Sequence, residues 1–117
     1  KDWEDKVCAA ASLKAILPLW QQDRIVLVHQ MLENGIVTMI VSCNTIMGEQ
    51  YLGKILTKEL AQELHEKGID PCGENGEFHT LVINCPLFSG AIELPEFTKK
   101  AHLIFRYFAK SFSNFFE

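Results

Sequence analysis

Basic side chains are scarce in this sequence, with 11 lysines and arginines against 15 aspartates and glutamates and a formal net charge of -4. A nucleic-acid surface needs clustered Lys and Arg, and the chain offers only short groups such as Lys99-Lys100, so no nucleic-acid partner is expected. Long apolar runs are missing too. None approaches ~18 uninterrupted residues, which excludes a membrane-spanning helix by this criterion. The four cysteines, Cys8, Cys43, Cys72 and Cys85, form no Cys-x-x-Cys pair. Neither a structural zinc site nor a disulfide framework is expected, and reduced thiols in a cytoplasmic protein are the default. No Gly-x-x-x-x-Gly-Lys-Ser/Thr phosphate loop occurs between Lys1 and Glu117. There is no secretory signal, and the chain opens on Lys1 instead of Met, which leads to the expectation that residues precede it.

What is present is globular in character. The 117 residues are 48% hydrophobic and 22% charged, enough for one domain with a modest core or for a piece of a larger one. Trp3, Val7, Cys8 and Ala11 recur at helical spacing over Asp2 to Leu13, and Lys14 to Leu19 reads as a brief strand ending at Pro18. Asp23 is a suitable N-cap for a helix to Asn34, with Gly35 as its left-handed stop. Ile36 to Cys43 is β-branched and nearly continuously apolar, as expected for a central strand covered on both sides. Asn44 to Lys54 is a loop, with Gly53 given a structural role. Thr57 caps a further helix through Lys67, ended by Gly68.

Most of the unusual chemistry is crowded into Gly68 to Thr80, GIDPCGENGEFHT. Three carboxylates, a thiol, a carboxamide and an imidazole sit there among glycines that allow close backbone approach. A plain acidic turn competes with this reading, since Asn75-Gly76 is a good hairpin signal. The strand Phe78 to Asn84 follows, and Ala91 to Leu94 is a candidate antiparallel partner for it. Glu77 and His79, two apart at the mouth of that strand, are placed to share a cation or relay a proton. The tail from Thr98 fits a helix face through Phe112 and Phe115, or a strand from Ala101 to Tyr107, and the strand is preferred. Its many phenylalanines point to cover by the rest of the chain or by another copy in a homo-oligomer.

The loop, with Pro18-Leu19-Trp20, Tyr51-Leu52-Gly53-Lys54 and Cys85-Pro86-Leu87-Phe88 at fitting separations, resembles the ATP-pyrophosphatase family that includes diphthine–ammonia ligase. The resemblance runs from about Ala15 to Ile92. It implies an α/β fold, with helix–strand alternation followed by a small mixed or antiparallel sheet, forming the C-terminal part of a two-domain, Rossmann-like nucleotide hydrolase. Residues 1–20 would close the nucleotide-binding domain and 21–117 would form the acceptor domain. The implied chemistry is ATP-dependent and AMP-forming: a carboxylate is adenylated and ammonia displaces AMP. The family's Ser-Gly-Gly-x-Asp-Ser phosphate loop is absent, so ATP and Mg are expected mainly through an N-terminal half.

Carried over residue by residue, Gly73, Glu74, Gly76, Glu77 and Thr80 match the family's most distinctive positions, with Asp70, Pro71, Cys72 and Asn75 beside them. Catalytic roles are expected for Glu74 and Glu77, as the resemblance implies, and for His79 from its place beside Glu77. Substrate contacts would come from Trp20, Asp70, Cys72, Gly73, Asn75, Gly76, Phe78 and Thr80. Glu74 and Glu77 could hold the acceptor's quaternary ammonium against Phe78 or Trp20, or could hold Mg against ATP phosphates. The implied partner is diphthine on elongation factor two. Phe78-His79, where eukaryotic members tend to have Tyr-Glu, is similar to the bacterial branch, and for that branch the acceptor is open. A non-catalytic binding module that keeps only the acceptor domain is the alternative.

Overall fold

The computed structural model describes residues 1–102 and 105–110. In chain order the elements are α1 (Asp2–Ala10), α2 (Arg24–Glu33), β1 (Val37–Asn44), one 3-10 turn (Glu49–Tyr51), α3 (Lys58–Glu66), β2 (Phe78–Asn84), β3 (Phe97–His102) and β4 (Phe105–Lys110). Helices and strands mix as the α/β expectation requires. The four strands form one antiparallel sheet in the order β2-β1-β4-β3.

Local chemistry explains the helix limits. Asp23 accepts from the N–H groups of Ile25 and Val26 at 3.1 and 3.2 Å, and Thr57 accepts from Leu60 at 3.1 Å. Both helices end in Schellman geometry. After α2, Gly35 donates to Leu32 and Ile36 to Met31; after α3, Gly68 donates to His65 and Ile69 to Leu64. Gly35 and Gly68 carry the left-handed φ values, +76° and +75°, that this ending requires.

β1 is the interior strand that its apolar run predicts. One edge pairs with β2, with Ile40 opposite Thr80 and Cys43 opposite Phe78. Register shifts leave Val41 on β1 and Ile83 on β2 as bulges. The other edge is shared. Ser42 to Asn44 pair with β4, while Thr38 and Ile40 bond to the segment Gly53 to Leu56. Gly53 has the predicted structural role: at φ +80° it donates to the Ile40 carbonyl at 2.8 Å.

Val28 of α2 and Leu60, Ala61 and Leu64 of α3 meet Ile40, Cys43 and Phe78 of the sheet in one core cluster, closed by Met47, Tyr51, Leu52 and Leu56. Full burial of a side chain such as Leu64 is worth about 2 kcal/mol before ordering costs. This core places the C-terminal end of α3 beside the start of β2, so the intervening loop must turn sharply.

Four local expectations change. The first helix stops at Ala10, and Lys14 to Leu19 is not a strand. No neighbour pairs with that segment among the described residues, and Ile16 is 79% exposed; an extended segment without a partner has no ladder to join. Ala91 to Leu94 contributes a single bond, from the Ile92 N–H to the carbonyl of the bulged Ile83 at 2.8 Å, and is otherwise irregular. Pro95, lacking an N–H, follows at once. The tail is β-structure as preferred, but as two strands, β3 and β4, instead of one over Ala101 to Tyr107. Phe112 and Phe115 lie outside the described residues.

Candidate functional site

Gly68 to Glu77 joins α3 to β2, so the Asn75-Gly76 pair does not turn a β-hairpin. The loop is organised from inside by Asp70, whose side chain is 3% exposed. Its carboxylate accepts from the backbone N–H of Cys72 at 3.0 Å and of Glu74 at 3.1 Å, and from Nη1 of Arg24. Buried charge is tolerated only when it is so satisfied. Two further turns close the loop: Gly73 donates to the Asp70 carbonyl at 2.9 Å and Gly76 to the Gly73 carbonyl at 3.2 Å.

Gly73 is fixed by both conformation and space. Its φ is +71°, and a Cβ there would stand 3.0 Å from the Phe78 carbonyl oxygen. Gly76 at φ +80° has nothing within 4 Å of such a Cβ, so conformation alone favours glycine there. Cys72 donates its thiol to the Arg24 carbonyl at 3.3 Å. Burial, reinforced by the Asp70 carboxylate, pushes the Cys72 thiol up, which keeps it a neutral packing group.

The predicted site residues thus divide by position. Asp70, Cys72 and Gly73 shape the loop. Phe78 is 2% exposed and belongs to the core, so its ring forms a floor beneath Gly73 and not an open face for a cation. Glu74, Asn75, Gly76, His79 and Thr80 are exposed, and Glu77 is half-buried. One Glu77 oxygen, Oε2, is enclosed without a hydrogen-bond partner among the described residues. Trp20 is 50% exposed and lines a hollow of about 250 Å³ with Lys1, Asp5, Ala15 and Leu17, to which no loop residue contributes.

Two contributors escaped sequence reasoning. Arg24, in the first turn of α2, also donates from Nη1 to Asn75 Oδ1 at 3.2 Å. A cation in a helix's first turn opposes the dipole, and that misfit is the signal that could have singled it out. The second is the turn after β1. Asn44 donates its backbone N–H to the Glu77 carbonyl at 2.8 Å, and its side chain accepts from the Met47 N–H at 2.8 Å. This ties the turn that carries the exposed Thr45 and Ile46 to the end of the loop at Glu77. Among the described residues no three of His, Cys, Asp and Glu come together to hold a metal ion.

Residues 23–111 match the diphthamide synthase C-terminal domain family. The chain is 35% identical over 101 residues to the diphthine–ammonia ligase of Schizosaccharomyces pombe, covering 79% of this chain and 16% of that protein. It is 34% identical over 93 residues to the Danio rerio enzyme of the same name, 75% of this chain and 36% of that one. For the Homo sapiens enzyme the identity is 32% over 93 residues, 75% of this chain and 35% of that one. The chain therefore spans about a third or less of the length of the relatives it matches. By the family match and these identities, this chain belongs to the diphthamide synthase family, through its C-terminal domain.

Proposed function

We propose that this domain binds the acceptor of an ATP-dependent, AMP-forming amide ligase, and that the Gly68–Thr80 loop is its binding element. The acceptor on this reading is diphthine, as the name of the relatives implies, carried on elongation factor two as the sequence resemblance implies. ATP supplies the activation: the acceptor carboxylate is adenylated with release of pyrophosphate, and ammonia then displaces AMP. The residues of this chain do not fit a nucleotide cradle, since no Ser-Gly-Gly-x-Asp-Ser sequence is present. ATP and Mg are accordingly placed with an N-terminal nucleotide-binding half.

The observation that carries the reading is the loop's division of labour. One carboxylate, Asp70, is consumed in holding the turn, which leaves Glu74 exposed and Glu77 with an enclosed, unpartnered oxygen. Carboxylates fixed by a rigid backbone suit a quaternary ammonium group, which has no N–H to donate and is recognised by charge and shape. Glu74 and Glu77 would take the trimethylammonium end. His79, exposed at the second residue of β2, would lie toward the reacting carboxyl and move a proton there.

Residues 1–20 belong, on the same reading, to the nucleotide-binding half. α1 buries none of its residues, Trp3 is 72% exposed, and the family match begins only at residue 23. Such a face needs cover. The alternative, a binding module without catalysis, draws on the missing phosphate loop. Glu77→Gln in the complete ligase tests the site: loss of turnover by about a hundredfold or more supports the assignment of Glu77, and unchanged turnover removes Glu77 from the site.

A further inference from the structure

We propose that Arg24 is a positioning residue for the acceptor loop, acting through Asn75; the inference rests on the reading of that loop as the acceptor-binding element. Arg24 stands 46 residues before Asp70 and 51 before Asn75, and one guanidinium nitrogen reaches both. Its backbone carbonyl holds the Cys72 thiol, so the same residue grips the loop at three positions. The grip on Asp70 is internal, at a side chain 3% exposed, while the grip on Asn75 is at the exposed tip between Glu74 and Glu77.

The placement works against local helix preference. Arg24 is the first residue of α2, where the unpaired N–H groups favour anions, and its side chain is 49% exposed instead of buried for packing. Asp23 already caps that end, so Arg24 is not needed for the helix. What it does supply is a tether from a helix anchored in the core to a tip whose glycines would otherwise leave it free. The surroundings are acidic, with Asp23, Asp70 and Glu74, so Arg24 is better suited to spacing carboxylates than to capturing an anionic ligand.

The test uses the complete ligase with Arg24→Lys, Arg24→Ala and Glu77→Gln, measuring KM for diphthine-bearing elongation factor two, KM for ATP, kcat and melting temperature. Lysine keeps a charge for the buried Asp70 but is shorter and lacks the planar fork, so it releases the Asn75 tip. Arg24→Lys is expected to melt close to the parent and to raise the acceptor KM about tenfold, with ATP KM and kcat within about twofold. An acceptor KM that stays within about twofold in Arg24→Lys, or that rises only in step with lost folded protein, overturns the proposal. If Arg24→Lys raises the acceptor KM while Glu77→Gln changes nothing, Arg24 stands and the Glu77 assignment falls. If neither variant changes it, both fall.

Discussion

Asp70 and Arg24 form an ion pair in which the carboxylate is buried and the guanidinium half exposed, tying the start of α2 to the loop after α3. The pair satisfies only part of the Asp70 carboxylate; two backbone N–H groups complete it. Asp70→Ala therefore removes the acceptor for three donors at once and leaves a cation in the first turn of α2. We expect a loss of about 3 kcal/mol in denaturant unfolding. A loss below about 1 kcal/mol would show that solvent replaces those bonds freely.

The two glycines of the loop differ in kind. Gly73→Ala meets strain from its positive φ and a contact with the Phe78 carbonyl at 3.0 Å, whereas Gly76→Ala meets only the strain. Gly76→Ala should cost about 1 kcal/mol and Gly73→Ala clearly more. Equal costs in urea titrations would contradict the close approach at Gly73.

Thr38 is 2% exposed, and its hydroxyl has no hydrogen-bond partner among the described residues. An enclosed, unsatisfied hydroxyl is a standing penalty, and valine has nearly the same shape without it. Thr38→Val should stabilise the fold by about 1 kcal/mol. Destabilisation would mean that the hydroxyl has a partner in solution.

Acid sensitivity should arise in part at Glu63. Hydrogen bonds from Lys67 at 2.7 Å and from the Tyr51 hydroxyl at 2.6 Å hold its carboxyl below the usual value of 4.5. A carboxyl with a lowered folded value contributes fully above the unfolded value and loses that contribution as pH falls through the folded one. Melting temperature should thus drop on acidification below 4.5, and Glu63→Gln should flatten that drop without removing it, because Glu33 and Glu59 are lowered too. A slope unchanged by Glu63→Gln would contradict the assignment.

Much of this architecture could be read from residue order because its signals are local. Asp23 and Thr57 cap helices by their own side chains, Gly35 and Gly68 end them by their own backbone, and the β-branched run at Ile36 to Cys43 becomes the interior strand. The segment at Lys14 to Leu19 misled for the opposite reason. Its composition suits a strand, but strand formation depends on a neighbour that local sequence does not name. Within the loop, the crowding of polar groups was legible, yet the role of each was not. Asp70, Glu74 and Glu77 look alike in sequence; only the burial of Asp70 and its bond to Arg24 separate the carboxylate that builds the loop from those left to meet a ligand. Phe78 illustrates the same limit, since an aromatic beside a binding loop serves equally as a ligand face or as core, and burial decides for core.

The most direct measurement is a titration of this chain with a diphthine-bearing peptide, followed by backbone amide chemical shifts, with an unmodified-histidine peptide as control. The account predicts saturable shifts concentrated at Glu74, Asn75, Gly76 and Glu77, with Glu77→Gln weakening binding about tenfold or more. Shifts that leave those four amides unmoved, or that the unmodified peptide reproduces in full, would contradict it.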